Sequence, residues 1–352
     1  MCKNVLLIVA LIGPVVVAAA EPGVPLDDLR LFDSSIGFRA TLSSFEHRCA
    51  SDGDRVWCWG DNNHGQLGIG GRAGVDLATP VASLPAGVDA IAVGGLHSCA
   101  VTDGRLFCWG DNAFGQLGTG DLQNRPLPVE VLPGVAFNQV EAGARHTCAV
   151  TVDDRVLCWG SNASGQSGDS MNVASVIEPI EVMQRIDVAL ALGGSHSCAL
   201  SGGVVECWGA NLQGQLGDGA VQSRSDPVPV AALPDGIERI AAARSHNCAS
   251  DGETIWCWGE NIDSQTGRLF DPDDDATRLT PLPNPVAGIE GPVADLAVAT
   301  DQSCAAVEEA MLCWGRVEDW PADPSDRAVE RWRASAEIMA AADPDCALVE
   351  EQ

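Results

Sequence analysis

The chain has no tyrosine, and it is poor in positive charge. Twenty Lys and Arg stand against 49 Asp and Glu in 352 residues, a formal net charge of −29. A surface this acidic repels phosphate backbones and anionic lipid, which sets aside nucleic acid and the charged membrane surface as partners. Solubility in a salty medium accounts for the acidity; selection of a cationic partner is the sharper alternative. Long apolar runs are missing beyond the first twenty residues, so no later segment suffices to span a bilayer. The sequence also lacks a unique Ser/His/Asp or Cys/His set, and its carboxylates are too numerous for one pair to stand out, which argues against an enzyme.

The first twenty residues read as a secretory signal peptide. Lys3 is the charged end, Val5 to Val17 the apolar run, and Ala18-Ala19-Ala20 the small residues before a cleavage point at Glu21. An uncleaved membrane anchor is the alternative, but the run is short and Gly13-Pro14 interrupts it. The protein is therefore expected to be extracellular or periplasmic, with no membrane attachment after cleavage. Residues 21–352 are read as one domain.

What the sequence has instead is glycine, proline and a repeat. Its 38 Gly and 20 Pro suit many short strands joined by tight turns. The segment HRCASDGDRVWCWGDNNHGQLG starts at His47, and HSCAVTDGRLFCWGDNAFGQLG starts at His97. Related units begin at His146, His196 and His246, a weaker one at Gln302, and a seventh near Asp345. First cysteines are spaced by 50, 49, 50, 50, 56 and 42 residues. One strand-rich unit per blade means a β-propeller. A solenoid would need polar capping units, which the sequence does not offer.

The pattern HxCA…CWG.N..GQLG resembles the repeat of the regulator of chromosome condensation family, from about residue 28 onward. Known members are seven-bladed propellers, so the resemblance implies an all-β, seven-bladed propeller. It also implies a range of roles. Nuclear relatives exchange guanine nucleotide on a small GTPase and bind chromatin; secreted bacterial relatives include inhibitors of β-lactamase. Export disfavours the exchange role, and no basic tail is present for chromatin.

Each unit reads as a hairpin. Residues facing each other across a two-residue loop have an odd separation, and the two cysteines of a unit are nine apart. The expected disulfides are Cys49–Cys58, Cys99–Cys108, Cys198–Cys207, Cys248–Cys257 and Cys304–Cys313, with Cys148–Cys158 carrying one extra loop residue as a bulged turn. Each should contribute roughly 2–3 kcal/mol. Zinc prefers closer cysteine pairs, and an exported chain is oxidised.

Upstream, the positions eight before each first cysteine (Thr41, Ile91, Val140, Leu190, Ile240, Leu296, Ile338) begin a strand of period two. The recurrent Trp59, Trp109, Trp159, Trp208, Trp258 and Trp314 are expected to wedge between blades; an exposed binding ring is the alternative. Histidine repeated as H-x-C is read as packing or hydrogen bonding rather than catalysis. His64 alone falls outside that pattern.

Three breaks stand out. The insertion after the fifth unit carries Asp271, Asp273, Asp274 and Asp275, a candidate Ca²⁺ loop whose spacing matches no EF-hand; a solvated acidic loop is the other reading. No other cofactor is expected. Residues 326–337 favour helix by propensity, but the repeat position makes Ala328 to Trp332 a strand, and closure of the ring favours the strand. The third break is the end of the chain: Leu29 to Asp33 is expected to pair with Cys346 to Glu350 and complete a seventh blade, with Cys346 a free thiol. The functional expectation is a non-catalytic, monomeric binding propeller for an unknown protein or extracellular ligand. Inhibition of a secreted enzyme, nucleotide exchange and a propeller hydrolase or lyase are the alternatives.

Overall fold

The computed structural model describes residues 47–51, 53–169, 173–289, 291–307 and 310–316. These residues form six antiparallel sheets, one per repeat. The first holds β1 (His47–Ser51), β2 (Val56–Gly60) and β3 (Val75–Pro80). The second holds β4 (Val88–Val93), β5 (His97–Thr102), β6 (Arg105–Gly110) and β7 (Arg125–Glu130). The third is β8 (Phe137–Ala142), β9 (His146–Thr151), β10 (Arg155–Ser161) and β11 (Ser175–Gln184). The fourth is β12 (Ala189–Leu192), β13 (His196–Ser201), β14 (Val204–Gly209) and β15 (Arg224–Pro229). The fifth is β16 (Arg239–Ala242), β17 (His246–Ser250), β18 (Ile255–Glu260) and β19 (Leu279–Pro285), and the sixth β20 (Val293–Val298), β21 (Gln302–Val307) and β22 (Ala310–Gly315).

Among the described residues the propeller thus has six blades, not the seven implied by the repeat family. A blade is built on a hairpin with both arms, and the second arm, C-W-G, occurs six times in the sequence. The segments assigned to a seventh blade, residues 29–33 and 346–350, lie outside the described residues, as do the ambiguous stretch 326–337 and Cys346 itself.

In every blade the cysteines face each other across the central hairpin and are bonded: Cys49–Cys58, Cys99–Cys108, Cys148–Cys158, Cys198–Cys207, Cys248–Cys257 and Cys304–Cys313. Their Cα atoms are 4.1 Å apart, the short spacing of directly opposed residues. The turns vary more than the sequence implies. Blades two and four have two-residue loops, with Asp103-Gly104 and Gly202-Gly203 all at positive φ. Blades one and five have four-residue loops between Ser51 and Val56 and between Ser250 and Ile255, which keep the separation odd. In blade three the extra residue makes a longer loop closed by Asp154 at φ 66°.

The core is a row of seams between blades. Trp109 packs with Cys58 and Leu67 of the blade before it, Trp159 with Cys108 and Leu117, and Trp258 with Cys207 and Leu216. Trp208 rests on Cys148 and Cys158, and Trp314 on Cys248 and Cys257. The disulfides of the first five blades are therefore floors for the next blade's indole. Burying one indole removes on the order of 200 Å² from water, at most about 5 kcal/mol. Trp59 is only half-buried, because no blade precedes it among the described residues. The last glycine of G-Q-L-G is fixed by the same packing: at Gly118, φ is +69° and a Cβ would lie 2.8 Å from Trp159 Nε1.

The first strands of neighbouring blades pack on one another, which places them where the blades converge. The fourth strands form the outer edge. Prolines such as Pro126, Pro128, Pro227, Pro229, Pro281 and Pro283 leave that edge short of donors and protect it from pairing with other chains.

Candidate recognition face

After each C-W-G the chain leaves the sheet into the N-x-x-G-Q loop. Asn112 organises this loop: its Oδ1 accepts from Leu117 N at 3.0 Å and its Nδ2 donates to Asp121 O at 2.8 Å. Asn62, Asn162, Asn211 and Asn261 accept in the same way from the residue five places on. The glutamine that follows faces two ways. Its side-chain oxygen accepts a backbone N–H two residues back, as Gln116 does from Phe114. Its backbone carbonyl reaches the next blade, where Gln116 O accepts from Trp159 Nε1 at 2.9 Å and from Thr147 Oγ1 at 2.8 Å.

Thr147 in turn meets the recurrent histidine of the blade before, His97 Nε2, at 2.8 Å. The pattern repeats for His47 with Ser98, His146 with Ser197, His196 with Asn247 and His246 with Ser303. The partners fix the direction of the bond. Each hydroxyl donates its proton to a glutamine carbonyl, and Asn247 Oδ1 only accepts, so every imidazole donates from Nε2. Nδ1 then carries the lone pair, and in His97, His146, His196 and His246 it is buried without a partner. Burial holds His47 and His196 down to about 4, and His97, His146 and His246 down to about 3, so all five are neutral. For His97 the neighbouring His47 and His146 add to the effect.

These Ser–His pairs are not activated nucleophiles. The imidazole donates to the hydroxyl rather than accepting from it, and His97, His146, His196 and His246 are fully buried. They are seams between blades. The ring lies against Gly94, Gly143 or Gly193, where a Cβ would come within 2.3 Å of the imidazole. The residue between histidine and cysteine carries this bond, and sequence reasoning missed it. The signal was there: from the second blade to the sixth that position holds Ser98, Thr147, Ser197, Asn247 and Ser303, all polar and all small.

With the recurrent polar groups tied into the seams, the exposed loop positions differ from blade to blade. All lie at one end of the blades, because the residue after C-W-G bonds the residue before the H-x-C strand, as in Asp111 N to Leu96 O and Glu260 N to Ser245 O. Blades one to three present His64, Phe114 and Arg145. His64 Nδ1 lies 3.1 Å from Asp111 Oδ1 on the next blade, and Arg145 stacks 4.7 Å from the Phe114 ring centre. Blades four and five present Leu212, 73% exposed, and Ile262, 41% exposed. Beside Ile262 stand Glu260 and Asp263, with Arg244, Asp301 and Arg316 close enough to act on them. Glu260 is raised by burial, with Asp301 and Asp263 pushing the same way and Arg244 opposing. Asp263 is raised by burial and Asp301.

The acidic insertion is folded on itself. Asp271 Oδ1 accepts from Asp273 N, Asp274 Oδ1 caps a short 3-10 helix (Asp275–Thr277), and Asp275 lies 3.5 Å from Arg278. Thr277 Oγ1 closes the loop from below by donating to Asp274 O. Among the described residues, no three His, Cys, Asp or Glu side chains converge as metal ligands, these four aspartates included. Nor is any helix among them long and apolar enough to cross a membrane.

Two solved structures share this architecture. Human WBSCR16 superposes with a TM-score of 0.62 at 23% identity, covering 74% of this chain and 72% of its own. Yeast RCC1 (Prp20), in its complex with Kap60, gives 0.64 at 21% identity, covering 89% and 78%. At these identities the likeness is one of fold. No curated protein sequence matches the chain significantly. The RCC1-like domain profile, however, matches residues 41–321, and with the H-x-C, C-W-G and G-Q-L-G signatures in place the chain belongs to the RCC1-like domain family.

Proposed function

We propose that this protein is an exported, non-catalytic recognition propeller whose N-x-x-G-Q loop face binds another protein. One observation carries the reading: a constant frame supports a variable face. Asn, Gln, His and the hydroxyl beside it recur in the seams, while His64, Phe114, Ser164, Gln213 and Asp263 occupy one equivalent loop position with five different chemistries. A rigid scaffold with loop-borne variety is how recognition surfaces are built. Six intramolecular disulfides are the mark of an oxidising compartment, and the N-terminal residues 1–20 read as the signal that leads there. Yeast RCC1 is bound to a protein, Kap60, in its solved complex, which supports protein as the ligand class.

The test is affinity capture from the extracellular fraction with the native chain and with a face variant, H64A/F114A/R145A/L212S/E260Q. A specific protein retained by the native chain and lost by the variant, with both melting alike, is the expected outcome. Equal capture by both removes the assignment of the face. If the captured protein is a secreted enzyme, loss of its activity on binding identifies inhibition as the role.

A further inference from the structure

The loop face carries a cation that the molecule does not pair. In a chain of net charge −29, arginines sit against the protein's own carboxylates, as Arg105 does against Glu130, Arg125 against Asp121 and Arg224 against Asp218. Arg145 is exposed and has no carboxylate partner among the described residues. Its guanidinium lies instead over Phe114 of the blade before, 4.7 Å from the ring centre. The equivalent position, just ahead of the H-x-C strand, holds Leu96, Ser195, Ser245 and Asp301 in other blades, so Arg145 is no part of the repeated frame.

Both ends of this arginine are fixed. Its backbone carbonyl accepts from Ser161 N at 2.8 Å, at the root of the third blade's hairpin. The ring under its head is anchored through the frame. Phe114 N donates to Gln116 Oε1 at 2.9 Å, Gln116 Nε2 donates to Asp111 Oδ2 at 2.8 Å, and His64 Nδ1 of blade one meets Asp111 Oδ1 at 3.1 Å. Gln116 is fully buried and Asp111 only 5% exposed, so the platform stands on the buried frame. Stacking occupies the face of a guanidinium and leaves its in-plane N–H groups free, and that edge matches the two oxygens of a carboxylate. A head already held in place loses little freedom on binding. Phe114 is half-buried, so part of its ring is open to an apolar neighbour.

We propose that Arg145, stacked on Phe114, is the receptor for a partner protein segment that presents an aspartate or glutamate beside an aliphatic side chain. The carboxylate accepts two N–H groups from the edge of the guanidinium, and the aliphatic neighbour covers the open part of the Phe114 ring. Charge complementarity selects this occupant: the site is an unpaired cation on a protein whose overall charge turns anions away everywhere else. The site rests on the recognition reading above and specifies the partner's chemistry.

The probe is acetyl-Leu-Glu-Leu-amide, titrated into the intact protein at physiological salt and followed by the Nε–H resonance of Arg145 and the ring resonances of Phe114. Acetyl-Leu-Gln-Leu-amide is the neutral control, and sodium acetate at equal concentration is the bare anion. The glutamate peptide should shift both groups, the glutamine peptide neither, and acetate should leave the Phe114 ring unmoved. R145K keeps the charge but loses the planar fork and the stack, so affinity should fall at least about fivefold. F114L keeps an apolar side chain without a ring and should weaken binding about threefold. R72A removes another exposed arginine without a carboxylate partner, with no ring beneath it among the described residues, and should stay within about twofold. No shift with the glutamate peptide, an equal response to the glutamine peptide or to acetate, an unaffected R145K or F114L, or an R72A loss matching that of R145K overturns the site. Capture of a native partner that survives R145K but is lost with the whole-face variant keeps the recognition face and removes this receptor.

Discussion

At the residue scale, the histidines define the protein's response to acid. His47, His97, His146, His196 and His246 are buried and neutral, held at about 3 to 4 against the ordinary 6.5. Between those values the unfolded chain binds more protons than the folded one. Stability is therefore full above pH 6.5 and falls as the pH drops toward 4, by about 1.4 kcal/mol per pH unit for each histidine. Urea melts from pH 7 to 4.5 should show this slope. The sixth blade already carries Gln302 where the others carry histidine, so H246Q is a native-like replacement and should reduce the slope by roughly one-fifth. A slope unchanged in H246Q would mean that His246 is not neutral in the fold. The H-x-C histidines were legible in the sequence as structural because they repeat. Their tautomer was not, because it depends on a hydroxyl some fifty residues away in the next blade, as with His97 and Thr147.

At the element scale, the hairpins were the most legible feature. Opposed cysteines demand odd separations in a two-residue loop, and the same parity accommodates the four-residue loops of blades one and five. Turn length was less legible, since Asp-Gly signals both. The glycines separate two effects that a sequence cannot. Gly134 has φ +90° with nothing within 4 Å of where a Cβ would stand, whereas Gly118 combines φ +69° with an indole at 2.8 Å. Gly134→Ala should cost about 1–2 kcal/mol from backbone strain alone. Gly118→Ala should cost a further ~1–3 kcal/mol, because Trp159 must shift. Chemical denaturation of the two variants measures the difference; equal losses would show that the indole yields freely.

At the scale of the whole molecule, the blades are linked neighbour to neighbour by one indole, one imidazole and one disulfide floor per seam. Such a chain of interfaces is strongest in its interior. The indole N–H groups of Trp109, Trp159, Trp208 and Trp258 all donate to a glutamine carbonyl of the preceding blade. Trp59 is half-buried, and Trp314 Nε1 is buried without an acceptor. Hydrogen exchange of the indole protons should be at least about tenfold faster at Trp59 and Trp314 than at the other four. Uniform protection of all six would mean that the terminal blades are as tightly seamed as the central ones.

The sequence by itself determined the repeat, the hairpins, their six cysteine pairings and the wedging tryptophans, because each is a local pattern of spacing and size written once per blade. Only the tertiary structure decided the rest. Among the described residues the blades number six, each built on a hairpin with both arms. The histidine–hydroxyl–glutamine seams join residues a full blade apart, as in His146, Ser197 and Gln166. The unpartnered Gln265 Nε2 depends on tertiary geometry as well: Glu260 and Asp61 hold equivalent places in the repeat, yet Gln66 donates to Asp61 while the buried Gln265 amide nitrogen has no partner.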